Sequence, residues 1–135
     1  ALIQEADYLS FSGSVPNGRK VAAACGERMI PYDVELGGKD PLIVMRGADI
    51  DRAVSATIRG AISATGQVCF SIERIYVDRA VHDEFVEQLV ERAKRIELNY
   101  PDPLGGHIGP FTGPHQAEIV KGHLEDAVSK GAKIV

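Results

Sequence analysis

The sequence has few of the features that mark nucleic-acid-binding, membrane-embedded or disulfide-rich proteins. It contains only two cysteines, shows no cluster of basic residues and has a net charge of −4. The absence of a basic patch argues against a nucleic-acid partner, and no apolar run approaches the roughly 20 residues of a membrane span. Two cysteines in a chain without a signal peptide indicate free thiols and a cytoplasmic protein. The chain also starts without methionine, which suggests a piece of a longer protein.

The histidines do not form a metal-binding pattern. They have no i, i+4 pair and no neighbouring cluster of cysteine or acidic residues, so we expect no metal site. The four are His82, His107, His115 and His123. His82 and His115 fall at predicted helix starts, where we expect them to face solvent.

What the sequence does have is a hydrophobic periodicity that alternates between strand and helix. The predicted strands are 6–11, 32–36, 41–45, 71–77 and a last one that begins at 133. The predicted helices are 16–25, one that follows a cap at Asp49, 79–96 and 114–130, and 99–110 is a predicted loop. This alternation predicts an α/β fold with parallel-type, multilayer sheets.

Further expectations concern burial, helix ends and domains. The continuous apolar run at 41–45 is typical of a strand buried on both faces, and Gly26 is expected to end the helix that starts at Pro16. The glycine pair at 37–38 is the predicted boundary between two domains, 1–36 and 37–135. The last helix is expected to bury Ile119, Val120, Leu124, Ala127 and Val128.

The first short motif is FSGSVPNGRK, residues 11–20. A strand that runs into Gly13 and then a helix start directs backbone N–H groups to one spot, which suits a phosphate. Gly13 and Gly18 have the glycine spacing of a P-loop, but Arg19 and Lys20 stand where that motif needs Lys and Ser or Thr. A nucleoside triphosphatase is therefore disfavoured, and an ordinary strand–turn–helix remains the simpler interpretation of these residues alone.

Two more motifs place chemically active side chains beside glycines. In VELGGKD, residues 34–40, Glu35 alternates with Val34 and Leu36 and so points to the opposite face of its strand. The glycines that follow would let another backbone or a cofactor come close. In GQVC, residues 66–69, Cys69 lies on a turn before a strand, where it is either a small buried hydrophobe or a nucleophile. Cys25 lies on the packed side of its predicted helix.

The three motifs together resemble those of the aldehyde dehydrogenase superfamily. SGSVPNG, ELGGK and GQVC occur here in the family's order and at similar separations. The downstream text ERIYVDRAVHDEFVEQLVERAKRI is similar to the family as well, so the likeness covers nearly the whole chain. Ser12 and Val15 stand where the family often has Thr, and neither change touches the chemistry. The chain is identified as a central fragment of such an enzyme.

The resemblance implies a fold, a reaction and a set of site residues. Residues 1–36 would end a Rossmann-like nucleotide-binding domain, and 37–135 would form the first half of the catalytic domain. Cys69 would be the nucleophile that forms a thiohemiacetal and then a thioester, with its backbone N–H at the oxyanion, and Glu35 would activate the hydrolytic water. The cofactor would be NAD or NADP, and the full-length protein is expected to be a homo-oligomer. The implied cofactor-binding residues are Gly13, Ser14, Gly18, Leu36 and Gly37.

Two alternatives from other classes stay open. The chain could act only through association, as a non-catalytic fragment, or the same thiol could serve a cysteine hydrolase or esterase that needs no cofactor. Dependence of turnover on NAD(P)+ in the full-length protein separates a dehydrogenase from a hydrolase.

The isolated 135-residue chain is predicted to have no dehydrogenase activity. Its cofactor site would be split, and apolar strand edges such as KIV at 133–135 would be exposed, so we expect aggregation or association instead. Incubation of the purified chain with an aldehyde and NAD(P)+ should give no reduced-nicotinamide absorbance. Formation of NAD(P)H by this chain alone would show the prediction to be wrong.

Overall fold

A computed structural model describes residues 2–102 and 104–135; Ala1 and Pro103 lie outside the described residues. Helices and strands alternate along this part of the chain, which confirms the predicted α/β class. The strands are β1 (Leu9–Gly13), β2 (Tyr32–Leu36), β3 (Asp40–Val44) and β4 (Ile72–Val77). The helices are α1 (Leu2–Glu5), α2 (Val15–Arg28), α3 (Ile50–Ile62), α4 (His82–Ala93) and α5 (His115–Ser129), and a 3-10 turn spans Ser63–Gly66.

The first two long strands form a βαβ unit with α2. β1 and β2 pair in parallel, from Leu9 opposite Tyr32 to Gly13 opposite Leu36. The helix α2 begins directly after β1, with Pro16 in its first turn, where the missing N–H of proline is not needed. The parallel pairing means that β1 and β2 end at the same edge, so Gly13 and Leu36 lie side by side there.

The other two strands, β3 and β4, form a second parallel pair. Between them runs α3, which Asp49 caps as predicted: its carboxylate accepts a hydrogen bond from the Arg52 N–H at 3.0 Å. Helices α3 and α4 pack on each other and enclose a small apolar core. The buried members of that core are Val44, Ile50, Val54 and Phe85.

Several predicted element ends were wrong by a few residues. β1 starts at Leu9 rather than residue 6, because its partner β2 starts only at Tyr32, opposite Leu9, and Pro31 before it has no N–H to donate to a sheet. Tyr8 instead donates its hydroxyl to Asp33, and this hydrogen bond raises the pKa of Tyr8. The helix α2 continues past Gly26 and ends at Arg28, since Met29 adopts the left-handed cap conformation with φ of 59°.

The start and end of α4 also differ from the prediction, whereas the loop after it agrees with the prediction. Helix α4 starts later than predicted, at His82, because the Asp78 carboxylate accepts a hydrogen bond from the Ala80 N–H at 2.8 Å and forms a turn before the helix begins. It ends at Ala93, after which the N–H groups of Arg95 and Ile96 donate to carbonyls only three residues back. The predicted loop 99–110 contains no helix or strand among its described residues; Pro103 within it is not described.

Three predictions of burial and pairing were also wrong. β3 is not buried on both faces, since Ile43 is 69% exposed. Most of the apolar stripe of α5 is exposed as well, because none of the described elements packs closely against it; only Ala127 is half-buried. Residues 133–135 form no strand, because no strand among the described residues pairs with them.

The two sheets are separated along the chain by residues 37–39. The predicted domain boundary lies at this point, and the division into domains 1–36 and 37–135 stays a prediction. Within the described part of the chain, every helix is too short or too polar to span a membrane.

Phe85 is the largest fully buried side chain among the described residues, so we expect its packing to contribute strongly to the stability of the β3–β4 sheet and its helices. Phe85→Ala in the full-length protein is expected to lower the free energy of unfolding by about 3–5 kcal/mol, because it removes a buried ring and leaves a cavity. Glu87→Ala, an exposed change on the same helix, is the matched control and should stay within about 0.5 kcal/mol. Urea-denaturation midpoints measure both, and equal midpoints for the two variants would contradict this assignment of the core.

Candidate active site

One open pocket of about 610 Å³ brings the three sequence motifs together. The ends of β1 and β2 form one wall, and the turn before β4 forms the other. Glu35 and Cys69, which are far apart in sequence, both line it. The full lining is Ser12, Gly13, Glu35, Leu36, Gly37, Gly38, Gly66, Gln67, Val68, Cys69, Glu73 and Gln116.

Cys69 lies exposed on a strained turn, residues 64–69, which we call the cysteine turn. Ahead of it, Ala64, Thr65 and Gly66 have φ values of 49°, 60° and 72°, so three consecutive residues adopt the left-handed conformation. For the two non-glycine residues this costs about 1–3 kcal/mol each, and such strain persists only where the surroundings enforce it. The Cys69 backbone N–H donates to no acceptor among the described residues, which leaves it free to face a ligand.

Glu35 lies exposed on β2, while its neighbours Val34 and Leu36 are half-buried on the other face, as the alternation predicted. Within residues 2–102 and 104–135, no group forms a hydrogen bond or an ion pair with its carboxylate. The Glu35 carboxylate is therefore available to take a proton from a bound water.

Gly38 connects the two motifs by a close backbone approach. A Cβ atom added at Gly38 would lie 2.8 Å from the carbonyl oxygen of Cys69. Because that oxygen belongs to the backbone, it cannot move aside as a flexible side chain could. The second glycine of the ELGGK motif is thus required by the position of the cysteine turn.

Of the predicted cofactor residues, the structure brings three into the pocket and leaves two outside its lining. Gly13, Leu36 and Gly37 line the pocket. Ser14 is the N-cap of α2, and its hydroxyl accepts a long hydrogen bond of 3.4 Å from the Asn17 N–H. Gly18 is buried under Leu36, where an added Cβ would lie 2.6 Å from the Leu36 Cδ2 atom. Gly18 therefore acts here as a packing residue that lets α2 approach β2.

Sequence reasoning missed three polar residues of the pocket. Glu73 forms an ion pair with Lys39 that links β4 to the ELGGK motif. The GQVC motif indicates no role for Gln67, yet its side chain joins the cysteine turn to Thr112. Gln116, on α5, had no signal in the sequence, because nothing in a local pattern shows which distant helix borders a pocket.

The two cysteines differ sharply in their surroundings. Cys25 is 0% exposed in α2, as predicted, whereas Cys69 is exposed at the pocket, and neither forms a disulfide. Among the described residues, no group of three or more His, Cys, Asp or Glu side chains could hold a metal ion. The chemistry that this pocket offers is that of one accessible thiol and one unpaired carboxylate.

Comparison with known sequences gives a consistent match. The profile of the Aldehyde dehydrogenase family matches residues 2–135. The chain is 43% identical over 135 residues to the "Putative succinate-semialdehyde dehydrogenase" (NADP(+)) of Mycolicibacterium smegmatis, covering 100% of this chain and 26% of that protein. It is 41% identical over 133 residues to the "Salicylaldehyde dehydrogenase" of Pseudomonas sp. strain C18, covering 98% of this chain and 28% of the relative. The chain thus spans about a quarter of the length of these relatives.

Solved structures show the same similarity. The chain superposes on "Putative Aldehyde Dehydrogenase PutA" from Anabaena variabilis with a TM-score of 0.96 and 48% identity, covering 99% of this chain and 29% of that one. A betaine aldehyde dehydrogenase from Staphylococcus aureus in complex with NAD+ gives a TM-score of 0.91 at 29% identity, covering 98% and 26% of the two chains. These matches confirm the predicted α/β, Rossmann-like fold.

Cys69 is predicted to be the reactive thiol and Cys25 the inert one. Alkylation requires access to the sulfur, which Cys69 has and the fully buried Cys25 lacks. Limited iodoacetamide treatment of the native full-length protein, followed by peptide mass spectrometry, should label Cys69 first. Unfolding in urea serves as the control and should make both thiols react; preferential labelling of Cys25 in the native protein would overturn the assignment.

Proposed function

Because the chain belongs to the aldehyde dehydrogenase family, we propose that the full-length protein oxidises an aldehyde to a carboxylic acid with NAD(P)+. Cys69 is its nucleophile and Glu35 is the base that activates water. The observation that carries this proposal is the single pocket lined by Cys69, Glu35 and the ends of β1 and β2. The proposal names no particular aldehyde, because the names of the two relatives given above refer to different aldehydes.

The reaction begins with the Cys69 thiolate, which adds to the aldehyde carbonyl carbon and gives a tetrahedral thiohemiacetal. The oxyanion formed at that step accepts a hydrogen bond from the unpaired Cys69 backbone N–H, which stabilises the developing charge. Loss of hydride from the former carbonyl carbon leaves a thioester on Cys69.

Glu35 then serves the second half of the reaction. Its unpaired carboxylate takes a proton from a water molecule as that water attacks the thioester carbon. The C–S bond breaks, the carboxylic acid leaves, Cys69 is released as the thiolate and Glu35 gives its proton to solvent. The balance is one aldehyde, one water and one oxidised cofactor converted into one acid, one reduced cofactor and one proton.

The described residues fit a dinucleotide at one edge of the pocket. β1 and β2 are parallel and end at Gly13 and Leu36, and ligands of α/β proteins bind at the carboxyl ends of such strands. The N-terminus of the fourteen-residue helix α2 follows at once and favours negative charge. A Cβ added at Gly37 would meet no atom within 4 Å, so this backbone is open to a ligand. Gly13 and Ser14 would hold the pyrophosphate and Leu36-Gly37 the nicotinamide, which when bound accepts the hydride; Gly18 contributes by packing.

A cytoplasmic location and a homo-oligomeric state also belong to this proposal. The two free cysteines support a reducing compartment, and the exposed apolar side chains of β3 and α5 support burial against further protein.

Glu35→Gln in the full-length protein is predicted to slow steady-state turnover by about 10²–10⁴-fold, the usual contribution of a general base. If Glu35 acts only on water, a pre-steady-state burst of NAD(P)H survives and a slow phase follows. If it also deprotonates Cys69, the burst slows as well and alkaline pH partly restores it. Stopped-flow absorbance at the reduced-nicotinamide band distinguishes these results.

The matched control is Glu27→Gln, the same change on the exposed face of α2 away from the pocket. It should leave burst and turnover unchanged. Unchanged steady-state turnover in Glu35→Gln would remove Glu35 from the mechanism.

A further inference from the structure

Side-chain hydrogen bonds add to the backbone hydrogen bonds that hold the cysteine turn. Apart from the hydrogen bonds within the 3-10 turn Ser63–Gly66, the Gln67 N–H donates to Ala64 at 3.1 Å and the Ser71 N–H donates to Val68 at 3.1 Å. Neither of these involves Cys69 itself. The left-handed residues before the cysteine would relax if nothing else restrained them.

The restraint on the pocket side is the Gln67 side chain. Its amide oxygen accepts two hydrogen bonds from Thr112, one from the backbone N–H and one from the hydroxyl, each at 2.9 Å. Its amide nitrogen donates to the carbonyl of Ala64 at 3.1 Å. One side chain thereby joins the strained segment to a second, distant piece of chain.

That second piece is itself fixed in place. Thr65 adds another link, since its hydroxyl donates to the Gly109 carbonyl at 3.0 Å. Residues 107 and 108 are bonded back to the segment after α4: the His107 N–H donates to Glu97 at 2.8 Å, and the Asn99 N–H donates to Ile108 at 2.7 Å. The loop 107–112 is therefore bonded both to the segment after α4 and to the cysteine turn.

We propose that Gln67 is a positioning residue, whose clamp to Thr112 holds the turn in the geometry that exposes the Cys69 thiol and its backbone N–H to the aldehyde. The inference rests on the proposed function of Cys69. Gln67 does not touch the reacting atoms in this proposal; it acts through the backbone of residues 64–69. A misplacement of about 1 Å at a reacting group can lower the rate by about 10²-fold, so loss of this clamp should slow the reaction measurably.

The test compares four changes in the full-length protein: Gln67→Leu, Thr112→Val, their combination, and Thr112→Ser. Gln67→Leu removes all three hydrogen bonds and should slow both iodoacetamide alkylation of Cys69 and the NAD(P)H burst by about 10- to 100-fold. The KM for the probe aldehyde, succinate semialdehyde or salicylaldehyde, should change by less than about threefold, since neither Gln67 nor Thr112 is proposed to touch the aldehyde. Thr112→Val removes only the hydroxyl contact and should slow both by about twofold to tenfold.

The double variant and the serine variant test the clamp itself. Gln67→Leu with Thr112→Val should be no slower than Gln67→Leu alone, because the two residues act through one contact. Thr112→Ser keeps the hydroxyl and should restore the rates lost in Thr112→Val. Far-ultraviolet circular dichroism and active-site titration correct every rate for the folded, active fraction.

A merely structural role would lower that fraction and leave the corrected rate constants unchanged, and this result would overturn the proposal. Additive effects of the two substitutions would overturn it as well. If Gln67→Leu does not fold, Thr112→Val and Thr112→Ser decide the matter alone: equal corrected alkylation rates in the two would contradict the clamp. Alkylation needs neither aldehyde nor cofactor. A wild-type protein without NAD(P)H formation would therefore refute the proposed function while leaving the alkylation comparison valid.

Discussion

The arrangement of the pocket depends on the distance between two backbones, that of Gly38 and that of the cysteine turn. A Cβ at Gly38 would lie 2.8 Å from the Cys69 carbonyl oxygen, and a backbone oxygen cannot rotate out of the way. The motif that carries Glu35 and the motif that carries Cys69 can share one pocket only because this position has no side chain. The Lys39–Glu73 ion pair ties the ELGGK motif to β4, the strand that follows the cysteine turn, and as an exposed pair it adds little to stability.

Glu35 and Cys69 are held in the pocket by two different kinds of backbone structure. Glu35 belongs to a regular element, since β2 pairs with β1 along its whole length and fixes the direction of the carboxylate. Cys69 belongs to an irregular one, a turn with three left-handed residues that side chains hold from outside. In the proposed mechanism Glu35 only needs to face a water, and a strand can place it there. In the same proposal Cys69 presents both its sulfur and its own N–H, which needs a backbone shape that no regular element supplies.

Much of the local structure could be predicted because it follows from neighbouring residues. The strand 32–36, the cap at Asp49 and the outward side of Glu35 all agree with the structure, since alternation and capping are short-range effects. Burial was harder to predict. The apolar run at 41–45 and the stripe of α5 show which faces are apolar, but a sequence pattern does not say what covers a face, and Ile43 is 69% exposed.

The residues of the candidate site also differ in whether the sequence could predict them. Glu35 and Cys69 could be named from short motifs because their chemistry is carried by their own side chains. Gln67 and Gln116 could not be given roles, because those depend on a contact or a wall formed by residues more than forty positions away. The amide of Gln67 bonds the Ala64 carbonyl within the turn and the backbone N–H and hydroxyl of Thr112 in a distant segment. Side-chain hydrogen bonds of this kind restrain a turn of left-handed residues, and a network that spans distant segments leaves no pattern in the local sequence.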